Sequence, residues 1–178
     1  FGFLEGVGLG VLAATILFVV NYSRIDVVKH HLSGENYHSL VERSRKNLTI
    51  LTERGTELMI LQLQGYLFFG TAYQLLEKIK DAALETKGRP IRYVVLDFRA
   101  VIGLDSSVML CFNKLRQFTS SQGIHLIFSD LKPNQQNQLA LSGFGNEDNF
   151  YRTFGDMDHA VEWCENEIIG QTHSLESL

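Results

Sequence analysis

The stretch Tyr93–Leu115, YVVLDFRAVIGLDSSVMLCFNKL, constrains the fold of this chain more than any other. Tyr93–Phe98 is an apolar run suited to a strand buried on both faces. A turn then delivers Asp105-Ser106-Ser107 to the start of a helix that places Val108, Cys111, Phe112, Leu115 and Phe118 on one side. Carboxylate and hydroxyl groups at that point accept hydrogen bonds from the unpaired N–H groups of the first helical turn. The same N–H groups and the helix dipole favour a phosphate. Asp105, Ser106 and Ser107 therefore read either as a plain cap or as a phosphorylation-responsive switch.

The neighbouring segments supply more units of the same kind. Ile25–Leu32 is a candidate first strand, and the polar Glu35–Gly55 reads as an excursion or short helix outside the core. Leu58–Gln64 alternates like a strand and is expected to end at Gly65. Thr71 can cap a helix carrying Ala72, Leu75, Leu76, Ile79 and Ala83, closed by Gly88 and Pro90. Beyond the helix at Asp105, Gly123 is a stop and Ile124–Phe128 a further strand. Pro133 opens a helix over about Asn134–Leu141, ended by Ser142-Gly143, and Asn149–Thr153 leaves room for a short edge strand. Asp156 or Asp158 caps a last helix with Ala160, Val161, Cys164, Ile168 and Ile169, and the polar residues after Gly170 read as a frayed tail. The expected fold is α/β, a mixed and mostly parallel sheet of about four to five strands with about four helices.

Phe1–Tyr22 differs from everything after it. It carries one charge, Glu5, and is just long enough to span a bilayer. Gly2, Gly6, Gly10 and Ala14 recur every four residues and form a small-residue stripe on which another membrane helix could pack. Arg24, Lys29, Arg43, Arg45 and Lys46 follow, which by the positive-inside rule puts this flank in the cytoplasm. The sequons at Asn21 and Asn47 are then unused. A start at Phe suggests a piece of a larger protein. The expected organisation is residues 1–22 as the last transmembrane helix of a membrane domain, 23–170 as a cytoplasmic domain and 171–178 as a polar tail or linker.

Several functional classes find no support. A net charge of −4 offers no basic surface for nucleic acid. His30-His31 point apart on a strand and have no partner at ligand spacing, so no metal or cofactor is expected. Cys111 and Cys164 fall at apolar helix positions, as buried reduced thiols do. No nucleophile stands beside a base, and Asp97 reads as a strand-end carboxylate tying down the next loop, so no enzyme is expected. The apolar link Tyr66-Leu67-Phe68-Phe69 either folds under the next helix or forms a patch that docks on a partner.

The order of strand, Gly65 turn, helix, Leu96-Asp97 and Leu104-Asp105-Ser106-Ser107 resembles a STAS domain, covering about Ile25 to Ile169. That fold is shared by bacterial anti-sigma-factor antagonists and the cytoplasmic tails of SulP anion transporters, and an apolar helix leading into it resembles the transporters. Tyr22–His30, Leu63–Ala72 and Val95–Arg99 are similar to the SulP subgroup in which a cyclic-nucleotide-binding-like domain often follows. The resemblance implies a regulatory and assembly domain of a sulfate or related anion transporter. Its implied partners are the membrane domain of the same protein, a second copy in a homodimer, and a regulatory protein or nucleotide. In the antagonists the second serine of Asp-Ser-Ser is phosphorylated, which maps to Ser107, but Val108 stands where they usually have Gly. The alternative is a membrane-tethered antagonist-like phosphoswitch using Ser107.

Overall fold

A computed structural model describes residues 2–23, 26–85, 89–144 and 150–176, with the side chains of 19–23 and 176 outside the description. Readings that fall on Phe1, Arg24, Ile25, Gly88 and Asn149 lie outside the described residues. The elements in chain order are α1 (Phe3–Ser23), β1 (Val28–Ser33), α2 (Arg45–Arg54), β2 (Leu58–Leu67), α3 (Phe69–Leu84), β3 (Tyr93–Leu104), α4 (Val108–Gln122), β4 (His125–Ser129), α5 (Pro133–Leu139), β5 (Tyr151–Phe154) and α6 (Met157–Glu176). Among the described residues, five strands make one sheet in the order β1-β2-β3-β4-β5, and only the β1–β2 pair is antiparallel.

Alternation along the strands sends side chains to two separate cores. One face carries Leu61, Leu63, Val94, Leu96, Phe98, Leu126 and Phe128 against α3, α4 and α5. The other carries Leu58, Ile60, Tyr93, Val95 and Ile127 against α2 and α6. Tyr93–Phe98 is buried along its whole length, as its apolar run requires.

Five expectations are corrected. Helix α2 adds to the four helices expected, and its Ile50 and Leu51 are core residues despite the polarity around them. Strand β2 does not end at Gly65 but bulges there, with φ 75° at Gly65 and register shifts on either side. This left-handed backbone conformation is one that glycine adopts without a Cβ clash. Strand β3 runs on to Leu104 through the predicted turn, pairing with the far half of β2. Finally, α6 continues past Gly170, where Gln171 donates to the Tyr93 hydroxyl at 3.0 Å and Thr172 accepts from Arg54 at 2.7 Å. Thr71 is not the first cap of α3 either. It sits one turn in, and its hydroxyl accepts from the Phe68 amide at 3.1 Å.

Helix α1 makes an exposed apolar surface, with Phe3, Leu4, Leu9, Val11, Leu17 and Phe18 all more than half exposed. Among the described residues, a Cβ added at Gly2, Gly6 or Gly10 would meet nothing within 4 Å. Among the described residues, no helix is long and apolar enough to cross a membrane. The span read over Phe1–Tyr22 is therefore not supported by the described residues.

Candidate functional site

The crossovers after β2 and β3 place the starts of α3 and α4 side by side at the C-terminal edge of the sheet. The two starts are laced by the residues singled out in the sequence. Asp105 donates its amide to the Leu67 carbonyl at 2.8 Å, joining the ends of β2 and β3. The Asp105 carboxylate accepts from the Ser107 amide at 2.8 Å. Hydrogen bonds from the Ser107 hydroxyl and amide hold that carboxylate below the usual range. The Ser107 oxygen in turn accepts from the Phe69 amide at 3.2 Å, an otherwise unpaired N–H of the first turn of α3. Cys111 lies one turn further along α4 and contacts the Phe69 carbonyl through sulfur at 3.7 Å.

Ser107 thus serves two helices. As a donor it holds Asp105 and as an acceptor it holds α3. A phosphate on its oxygen would remove the donated proton and set two negative charges beside Asp105. Ser106 is exposed, and Val108 is fully buried.

The apolar link divides. Leu67 is wholly buried and cannot meet a partner, and Phe68 is half-buried. Tyr66 and Phe69 stay about half exposed, and sequence reasoning missed their companions Tyr73 and Ile102. The Phe69 and Tyr73 rings stack at 6.2 Å between centroids. Tyr66 lies across Gly103, where an added Cβ would come within 2.7 Å of its ring. Val27, Gln64, Gly65, Tyr66, Phe68, Thr71 and Ile102 enclose a cavity of about 160 Å³ beside this patch. The signal available in sequence was the apolar Ile102 in a stretch otherwise read as turn.

The other candidates sit apart. His30 and His31 are exposed on β1, and among the described residues no group of three His, Cys, Asp or Glu side chains could hold a metal. Both cysteines are buried free thiols, and burial pushes each one up, Cys164 strongly. Neither is poised as a thiolate. Asp97 does tie down the next residues, accepting from the Arg99 amide at 2.9 Å.

An open α/β domain whose sheet follows chain order, with a serine binding two neighbouring helix starts, defines the class. The STAS domain family matches residues 47–157, well over half of the chain, and the chain belongs to that family. It is 33% identical over 185 residues to the vacuolar basic amino acid transporter VSB1 of Saccharomyces cerevisiae, matching 98% of this chain. It spans only 17% of that relative's length. In structure it is similar to murine Solute Carrier 26 family member A9, an anion transporter in the inward-facing state, with TM-score 0.59 and 16% identity. That likeness covers 92% of this chain and 26% of the transporter. A sulfate transporter family protein from Wolinella succinogenes is similar at TM-score 0.51 and 19% identity, over 64% of this chain and 88% of that one. The RsbS protein of Moorella thermoacetica shares the fold at TM-score 0.51 and 14% identity, over 62% and 90%.

Proposed function

We propose that this chain is the cytoplasm-facing STAS domain of a SulP-type secondary transporter, joined to its membrane part through α1. It acts as a regulatory and assembly module through protein contacts, not as an enzyme. The observation that carries this reading is the 33% identity to a transporter along 98% of the chain. The apolar, exposed surface of α1 and the exposed Tyr66, Phe69, Tyr73 and Ile102 support it, since clustered apolar surface marks contact sites. The contacted partner is the membrane domain, with a second copy in a homodimer. The solute binds in the membrane part, near the midplane in such folds. A sulfate-like anion is the cargo that the SulP resemblance implies. The named cargo of the yeast relative favours a basic amino acid as the second reading.

The test is uptake by the transporter that carries this chain, with Phe69→Ala and Ile102→Asp on the exposed patch. Uptake should fall severalfold while membrane abundance stays the same. Normal uptake in both variants sinks the contact role. Glycan on Asn47 would place the domain on the opposite side of the membrane. The antagonist-like phosphoswitch remains the alternative, and mapping of phosphopeptides covering Ser106 and Ser107 decides it.

A further inference from the structure

Three arginines gather where β2 and β3 begin. Arg54 ends α2, Arg89 precedes Pro90, and Arg92 stands immediately before β3. The chain from α1 joins at the other end of the sheet, where Val28 pairs with Leu63. Arg54 is 7% exposed and fully engaged. It donates twice to Glu57, at 2.6 and 2.7 Å, and also to the Ile168 carbonyl at 3.1 Å and the Thr172 hydroxyl at 2.7 Å. Arg89 stands 3.5 Å from the same Glu57 carboxylate, with its own side chain 54% exposed. Arg92 is exposed and donates to the neutral Gln171 side chain at 2.5 Å.

Two guanidinium charges are therefore left beside a carboxylate that Arg54 has already neutralised. The bonds from Arg54 to α6 hold that pair in place, so Glu57 does not swing across to Arg89. Glu53, exposed on the same cavity, and Glu167, beside Arg92 in the adjoining one, are the other carboxylates here. Among the described residues neither forms an ion pair with Arg89 or Arg92. The cavity lined by the three arginines measures about 640 Å³, which suits a small molecule. Ile50, Pro90 and Leu175 give it an apolar wall. Guanidinium forks pair bidentately with phosphate, and two of them side by side favour a dianion. An apolar wall beside them suits an organic group carried on that phosphate. The distance from the α1 junction favours a soluble ligand over a lipid headgroup.

We propose that Arg89 and Arg92 bind a soluble phosphate monoester in this cavity, with its phosphate on the two guanidiniums and its organic group against Ile50, Pro90 and Leu175. The site is independent of the transporter reading and would stand if that reading failed.

Calorimetric titration of the 178-residue chain in detergent, with phenyl phosphate and separately inorganic phosphate at constant ionic strength, tests it. One phenyl phosphate should bind per chain, severalfold more tightly than inorganic phosphate. Arg89→Gln and Arg92→Gln should each weaken binding roughly tenfold. Arg92→Lys keeps the charge but loses the fork, and should weaken it severalfold. Both positions are exposed, and circular dichroism checks that the variants fold. Arg45→Gln, at the exposed start of α2, should leave binding unchanged. Absence of heat up to about 10 mM phenyl phosphate overturns the proposal. Undiminished binding in the Arg89→Gln, Arg92→Gln double variant also overturns it. So does an equal loss in Arg45→Gln, which marks unspecific charge attraction, or equal affinity for inorganic phosphate, which leaves an adventitious ion only.

Discussion

The two faces of the sheet are held by different means. Under α3, α4 and α5 the contact is apolar and aromatic: Phe128 alone meets Phe98, Phe112, Phe144 and Tyr151 at 5.4 to 5.8 Å between centroids. Under α2 and α6 a smaller apolar core is ringed by buried polar latches. Glu165, 2% exposed, accepts from Arg43 at 3.0 Å, from the Ser39 amide at 3.1 Å and from the Ser39 hydroxyl at 2.5 Å, drawing residues 34–44 over α6. Arg54 pairs with Glu57 through two bonds of 2.6 and 2.7 Å and donates to the Ile168 carbonyl at 3.1 Å. Apolar contact is cumulative and tolerant of small shifts. Buried ionic contact is directional, and removing one partner strands the other. The first face should fail as a unit and the second piece by piece.

Four measurements press on that contrast. Phe128→Ala empties the centre of the aromatic cluster and should cost about 3 to 5 kcal/mol in urea unfolding, with exchange protection lost across α3 to α5 together. Glu165→Ala leaves Arg43 buried without its carboxylate and should cost about 3 kcal/mol. Its distinguishing mark is protease cleavage within residues 34–44 before global unfolding. Equal sensitivity of the whole domain would erase the proposed difference between the faces. Ser107→Ala, on the apolar face, removes the tie between α3 and α4 and should cost about 1 kcal/mol.

The smallest effect is electrostatic and lies where α6 begins. The His159 amide and imidazole hold the Asp156 carboxylate below its usual 3.8, and Asp156 holds the His159 imidazole above its usual 6.5. The Asp156 contribution is present above 3.8 and is lost as pH falls through the lowered value. The His159 contribution is present below 6.5 and is lost as pH rises through the raised value. Both act together between 3.8 and 6.5. Asp156→Asn keeps an N-cap and should lower the urea midpoint slightly across that window and remove its falls below 3.8 and above 6.5, a small effect because both groups are exposed.

The same division explains what could be read from sequence. Tyr93–Phe98, the stripe of α4 and the Gly123 stop follow from periodicity and a single residue type, and all three lie where the sequence puts them. Arg45–Arg54 reads as polar because its buried apolar residues are Ile50 and Leu51 alone, and its burial depends on Arg54 meeting Glu57 and α6. Gln171 and Thr172 look like a tail until Arg92, Tyr93 and Arg54 are placed beside them. The Asp105–Ser107 helix start is legible from its residue types. Its partner is not, because the group Ser107 serves is the backbone amide of Phe69, which carries no sequence signature. The pairing of Asp97 with Ser129 depends on strand register, and no local spacing announces it.

The agreement of sheet order with chain order also bears on how the molecule is made. Each strand pairs with the one synthesised just before it, and no strand must enter between two already placed. Every crossover closes a loop of modest length, so the entropy lost at each step rises only slowly. A chain leaving the ribosome can add β3 to β2, then β4, then β5, without undoing earlier pairs. Its exposed edge moves forward with synthesis until α6 seals the second face, and until then that edge is the region most open to mispairing.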